Sequence, residues 1–179
     1  MESKAKAFGH PIHPMLIVFP LGLLVTSVVF DILYLVTPLD FFPIVAYYNI
    51  IAGIIGGLLA AVFGLRDWLA IPEGTRARRV GLLHGIGNVL VVGLFFASWV
   101  LRGGSANFAP STFALVLSLL AVGLGTLTAW LGGELVYRLD VAVDRGAHLN
   151  APNSLSGQPA EVIHRITTVP VTGEPREEM

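Results

Sequence analysis

Four long apolar runs constrain this chain more than any other feature. They cover about residues 15–36, 44–66, 80–101 and 112–137. A helix rises about 1.5 Å per residue and the hydrocarbon core of a bilayer is about 30 Å thick, so each run is long enough to cross a membrane. Of all residues, 54% are hydrophobic and only 13% are charged, which is unusual for a soluble domain. The sequence therefore predicts an all-α integral membrane protein.

The connections between the runs are short and rich in turn-forming residues, at about 37–43, 71–75 and 103–111. Short connections make consecutive helices antiparallel neighbours. We therefore predict an up-down four-helix bundle and a transmembrane domain over residues 1–138. Residues 139–179 contain scattered Pro, Ser, Gly and charged residues, and this composition predicts a mostly irregular polar tail.

The charged residues predict the orientation. Ten of the 11 Lys and Arg residues fall on the side of the two termini, and only Arg102 falls on the other. By the positive-inside rule both termini and the tail are cytoplasmic in this multi-pass protein. The chain has no cysteine and a net charge of −1, so disulfides and thiolate metal sites are excluded. No motif points to nucleic acid, and the lipid bilayer is the expected partner.

Four groups that ligate metals gather at the predicted cytoplasmic face. His13 opens the first run and His84 lies early in the third, while Asp67 closes the second and Glu134 the fourth. Two imidazoles and two carboxylates suit a first-row transition metal. Two histidines on different helices could instead hold haem b, with the carboxylates supporting them. His10, three residues before His13, is a further ligand or a supporting partner.

Each of these residues also has a plain structural interpretation. His10 and His13 are polar residues at a helix start, and Asp67 follows the potential partner Arg66. Glu134 has Arg138 four residues later, and His84 has Asn88 at the same spacing, which places each pair on one helix face. Hydrogen bonds of this kind would only tie helices together. The sequence leaves both interpretations open.

The two halves of the chain resemble an internal repeat. Each half begins with a histidine and returns to an acidic residue at the same face. Aligning His13 with His84 also superposes two pairs of small residues, Gly22 with Gly93 and Ser27 with Ser98. The same register sets Asp31 opposite Arg102, and opposite charges at one membrane depth are expected to pair. We predict this ion pair as structural and the repeats as related by an axis along the membrane normal.

The chain resembles a family of small bacterial predicted membrane proteins of unknown function, which have four helices and open on a His-Pro motif. The resemblance covers about residues 9–137, and the matching features are His13-Pro14, Phe19-Pro20-Leu21, Asp31, Gly64-Leu65-Arg66-Asp67-Trp68, and His84 with Asn88. It implies a four-helix membrane fold in a bacterial cytoplasmic (inner) membrane. Some relatives are fused to Rieske-type iron–sulfur domains, so the resemblance also hints at redox work. It implies no established activity.

Two functional hypotheses follow. The first is a redox-associated membrane subunit that binds haem or a metal, with His13 and His84 as principal ligands and a membrane or redox protein, or a second copy, as partner. The second is a non-enzymatic accessory subunit whose polar residues only tie helices together. Whether the protein is an enzyme stays open at this point. Transport is disfavoured, because the polar groups lie at the faces rather than along a path.

Overall fold

A computed structural model describes residues 1–37 and 39–162. A short hairpin of β1 (Lys6–Ala7) and β2 (His10–Pro11) precedes the helices, which are α1 (Ile12–Leu16), α2 (Val18–Val36), α3 (Phe41–Leu69), α4 (Arg76–Arg102) and α5 (Thr112–Tyr137). Short 3-10 helices lie at Ala106–Phe108 and Ser154–Ser156. Four helical segments are long and apolar enough to cross a membrane. The predicted all-α membrane bundle is confirmed. Of the predicted tail, residues 163–179 lie outside the described part.

α3 and α4 are longer than their apolar runs, and side-chain caps mark the starts of α4 and α5. The Oγ1 of Thr75 accepts a hydrogen bond from the backbone N–H of Arg78 at 3.1 Å, so α4 begins with an arginine-rich turn before its apolar run. The Oγ of Ser111 caps α5 through Ala114 N–H at 3.2 Å. Such side chains satisfy N–H groups that have no partner within the helix. The first span begins earlier than predicted and is interrupted at Ile17, between α1 and α2.

The helices pack as two antiparallel hairpins. α2 pairs closely with α3 and α4 with α5, while contacts between α3 and α4 join the two hairpins. Their interior is an apolar cluster of Leu24, Val28, Ile50, Ile54, Val91, Phe95 and Ala121. The outer surface is also apolar, and Val62 and Val89 are 64% and 69% exposed there. A bundle that is apolar inside and outside is suited to a lipid environment.

Burial follows the internal repeat. Residues 71 positions apart on α2 and α4 are buried in both halves, as are residues 68 positions apart on α3 and α5: Leu24 with Phe95, Ser27 with Ser98, Asp31 with Arg102, Ala46 with Ala114, Ile50 with Ser118, Gly53 with Ala121, and Ala60 with Thr128. The two hairpins thus present matching positions to a common interior. This pattern supports the repeat suggested by the sequence.

The N-terminal segment and the chain after α5 meet at one end of the bundle. The amino group of Met1 bonds to Asp140, and Ala142 N–H donates to the carbonyl of Met1 at 2.7 Å. The Lys6 ammonium bonds to Asp144 and, at 3.1 Å, to Glu2. We call this contact between residues 1–11 and 138–157 the clasp. It lies at the end of the bundle where α1 begins and α5 ends.

Candidate functional site

His13 and His84 come together at the end of the bundle that carries the clasp. Their ring centroids are 6.3 Å apart and their planes are nearly perpendicular, at 86°. His13 lies in α1 and His84 lies roughly two turns into α4. Each half of the repeat therefore contributes one imidazole. Both side chains are half-buried.

Each imidazole is held through its Nδ1 atom. The Nδ1 of His13 is 2.8 Å from the carbonyl oxygen of Ala60 on α3, and the Nδ1 of His84 is 2.9 Å from that of Thr128 on α5. A carbonyl can only accept, so both Nδ1 atoms carry a proton, and in the neutral imidazole the lone pair is then on Nε2. This is the tautomer of histidines that bind metals through Nε2, whose other nitrogen often donates to a backbone carbonyl.

Each ring also lies against a glycine of the neighbouring helix. A Cβ atom at Gly64 would be 2.9 Å from Cε1 of His13, and one at Gly132 would be 3.2 Å from Cε1 of His84. These glycines follow Ala60 and Thr128 by four residues, one turn further along α3 and α5. The carbonyl and the glycine surface thus form the same cradle twice, once for each histidine.

Only His84 has a second hydrogen-bond partner. The Nδ2 of Asn88 lies 3.2 Å from Nε2 of His84 and 2.8 Å from its backbone oxygen. The hydroxyl of Thr128 lies 3.1 Å from Oδ1 of Asn88 and 2.9 Å from the carbonyl oxygen of Gly125, and its single proton serves these two acceptors. In the first half, Ile17 holds the position that corresponds to Asn88. Among the residues that the structure describes, none hydrogen-bonds to Nε2 of His13.

Asp67 makes its hydrogen bonds with the N-terminal segment and not with the imidazole pair. The Ser3 hydroxyl is 2.9 Å and 2.8 Å from its two carboxylate oxygens, and Lys4 N–H donates to Oδ1 at 2.7 Å. The side chain is 7% exposed. The expected partner Arg66 makes no hydrogen bond to it within the described residues. Asp67 therefore anchors the N-terminal segment to the end of α3.

Glu134 and His10 are also engaged elsewhere. Glu134 accepts from Nη2 of Arg76 at 2.6 Å, rather than from Arg138 on its own helix, because α4 begins beside the end of α5. His10 is exposed on β2, and its Nε2 lies 3.2 Å from Oγ of Ser154. Within residues 1–37 and 39–162, no group of three or more His, Asp or Glu side chains is arranged to hold a metal. Of the predicted metal ligands, the structure brings His13 and His84 together.

The remaining polar residues of the prediction lie in two places. Asn88 belongs to the histidine end, whereas Asp31 and Arg102 pair at the opposite end of the bundle. Thr128, Gly64 and Gly132 were not predicted as site residues, although Gly64 opens the Gly64-Leu65-Arg66-Asp67-Trp68 stretch of the family resemblance. The repeat could have revealed the two glycines, because they are 68 positions apart, as are the buried residues of α3 and α5.

The fold defines a multi-pass integral membrane protein, a bundle of four spanning helices with a paired-histidine site at one end. Residues 9–145 match a family described as predicted membrane proteins (DUF2231), and the chain belongs to this family. No curated protein and no solved structure matches the chain. The family description gives a membrane location and no activity, so the function rests on the chemistry of the site.

Proposed function

We propose that this protein is a redox-associated membrane subunit that binds a first-row transition-metal ion between His13 and His84. The observation that carries the proposal is the paired geometry of the two rings, 6.3 Å apart and each anchored through Nδ1 to a backbone carbonyl. The excess of Lys and Arg on the side of the termini supports a cytoplasmic location for the site.

The spacing suits two imidazoles around one ion. With metal–nitrogen bonds of about 2.0–2.1 Å, two imidazoles that share an ion have ring centres about 5–6.5 Å apart. Imidazole is a good ligand for iron, copper, nickel and zinc. Two protein ligands leave coordination positions for water, a substrate or a partner's side chain, as is typical of working rather than purely structural metal sites.

Haem iron uses the same imidazole donors, but an ion needs less space between the two rings. Two shallow grooves of about 290 and 280 Å³ lie on the bundle, one between α2 and α3 and one beside Pro72 and Arg76. Neither is lined by His13 or His84. A haem is much wider than a single ion, so it would need more space between α1 and α4 than an ion does.

The proposal is tested on the full chain, purified in detergent from membranes of cells supplied with iron, copper and zinc. Elemental analysis and an absorption spectrum are recorded for the wild type and for His13→Ala, His84→Ala and His10→Ala. We expect a stoichiometric metal ion that both site variants lose and His10→Ala retains. His10 is the matched control because it is an exposed histidine only three residues from His13.

Three outcomes are informative. A Soret band that disappears in both site variants would show that His13 and His84 bind haem rather than a single metal ion. A folded wild-type protein with neither metal nor Soret band would overturn the proposal. Metal retained equally in the variant with both His13→Ala and His84→Ala would overturn it as well, because the metal would then lie elsewhere.

A structural accessory role is the second candidate, and one observation favours it. Both ring nitrogens of His84 have hydrogen-bond partners, which join α4 to α5 through Asn88 and Thr128. If this role is the main one, His84→Ala lowers the thermal stability of the bundle strongly and no metal is found. His13→Ala would then have a smaller effect, because within residues 1–37 and 39–162 His13 has a single hydrogen-bond partner, the carbonyl of Ala60.

A further inference from the structure

The two otherwise matching histidines differ at the atom that would bind the metal. Nε2 of His13 has no hydrogen-bond partner among the described residues, whereas Nε2 of His84 accepts from Nδ2 of Asn88 at 3.2 Å. An imidazole nitrogen has one lone pair in its ring plane, so a metal and an N–H donor compete for it. His84 cannot bind an ion while the amide of Asn88 keeps this contact.

On the basis of the proposed function, we infer that Asn88 occupies Nε2 of His84 until a metal ion displaces it. We call this contact of Asn88 with His84 the latch. His13 is the open ligand that meets an incoming ion first, and His84 joins only after Asn88 has released its Nε2. Asn88 is thus a positioning residue that sets how tightly and in what order the two imidazoles bind. The repeat makes the inference specific, because the first half has Ile17 in the place of Asn88.

The contacts of Asn88 show which bond is released. Its Nδ2 also donates to the backbone oxygen of His84 at 2.8 Å, and its Oδ1 accepts from Thr128 at 3.1 Å. The contact with Nε2, at 3.2 Å, is the longest of the three. The bond from Nδ2 to the backbone oxygen of His84 therefore still holds Asn88 when the ion displaces it from Nε2. Only one weak hydrogen bond is lost.

The expected size of the effect follows from that bond. Net hydrogen-bond contributions of about 0.5–1.5 kcal/mol correspond to about a two- to twelvefold change in affinity. Asn88→Leu removes the competing donor while keeping the side-chain volume, so it is expected to tighten binding of the ion about threefold to tenfold. Ile17→Asn, which gives His13 a latch of its own, is expected to weaken binding by a similar factor.

The test uses Cu²⁺ as the probe on the full chain in detergent. Copper affinity is measured by competition with a chelator, and electron paramagnetic resonance reports the coordinated imidazoles. The variant with both His13→Ala and His84→Ala gives the background from surface sites. Asn49→Leu is the matched control, because Asn49 is a half-buried asparagine of α3 away from the pair, and its affinity is expected to be unchanged.

Single-histidine variants provide a second readout. His84→Ala, which leaves the open imidazole, is expected to retain more copper binding than His13→Ala, which leaves the latched one. Asn88→Leu binding copper equally or more weakly than the wild type would overturn the latch. Wild-type protein that binds no more copper than the double variant would overturn the proposed function as well. The two failures are therefore distinguishable.

Discussion

Asp31 and Arg102 form a two-point ion pair, with N–O distances of 2.6 and 2.7 Å, although both side chains are fully buried. The hydroxyls of Ser98 and Ser118 accept from the same guanidinium at 3.2–3.3 Å. The two charges lie at matching positions of α2 and α4, so the pair joins the two halves of the repeat. The pairing predicted from the register of the repeat is confirmed.

Removing one member of this pair should destabilise the bundle. Arg102→Met leaves the Asp31 carboxylate buried without its partner, and breaking a buried pair in this way costs about 3–5 kcal/mol. Replacing both members, with Asp31→Leu and Arg102→Met together, should cost less because no charge remains unpaired. The free energy of unfolding in mixed micelles checks both. Equal stability of Arg102→Met and the wild type would contradict the prediction.

We predict that Asp67 anchors the N-terminal segment and does not bind the metal. Asp67→Asn removes the negative charge that accepts from Ser3 and Lys4, which is expected to cost about 1–3 kcal/mol. The segment should then be cleaved faster by trypsin at Lys4 and Lys6, while metal content stays unchanged. Asp40→Asn, at an exposed residue before α3, is the control. Loss of metal in Asp67→Asn with normal cleavage would show that Asp67 is a ligand.

The glycine cradles give a prediction about the shape of the site. A methyl group at Gly64 would lie 2.9 Å from His13, so Gly64→Ala should displace the ring and lower metal content. The fold should remain, because alanine is a better helix former than glycine by about 1 kcal/mol. Gly22→Ala is the control, since no atom lies within 4 Å of a Cβ there. Full metal content in folded Gly64→Ala would contradict the account.

The clasp should be stable over a defined pH range. The hydrogen bond to Asp144 raises the pKa of Lys6 above its ordinary value of 10.5, and that from Lys6 lowers the pKa of Glu2 below 4.5. The contribution of Lys6 is therefore complete below pH 10.5 and is lost as the pH rises through the raised pKa. The contribution of Glu2 is complete above pH 4.5 and is lost as the pH falls through the lowered pKa.

A spin label can follow this dependence. The chain has no cysteine, and Phe8 is 81% exposed between the two strands, so Phe8→Cys provides a single labelling site. Label mobility should rise as the pH rises above 10.5, where Lys6 loses its charge, and as it falls below 4.5, where Glu2 is protonated. Lys6→Gln should remove the alkaline rise. An alkaline rise in Lys6→Gln as large as that in the parent protein would contradict the assignment to Lys6.

The sequence predicted the features that depend on hydropathy and on register. The apolar runs predicted four helices, and the alignment of His13 with His84 predicted the contact between Asp31 and Arg102. The hydropathy signal can be found within a single helix. The register signal can be found by comparing one half of the chain with the other. They hold because lipid requires every spanning backbone to be helical and because the matching residues face a common interior.

The partners of Asp67 and Glu134 could not be predicted in the same way. Ser3 is far from Asp67 along the chain, and Arg76 is far from Glu134, so no spacing rule points to either pair. The visible candidates were Arg66, next to Asp67 in the chain, and Arg138, four residues after Glu134, but the N-terminal segment and the start of α4 supplied the donors. The clasp was missed for the same reason, because it joins residues near the two ends of the described chain.

The central claim, that His13 and His84 share one metal ion, is tested most directly by X-ray absorption at the edge of the metal bound to the full chain. The account predicts two imidazole nitrogens at about 2.0–2.1 Å from the metal, reduced to one in His13→Ala and in His84→Ala. A metal with no imidazole ligands, or a spectrum unchanged when both histidines are replaced, would contradict it.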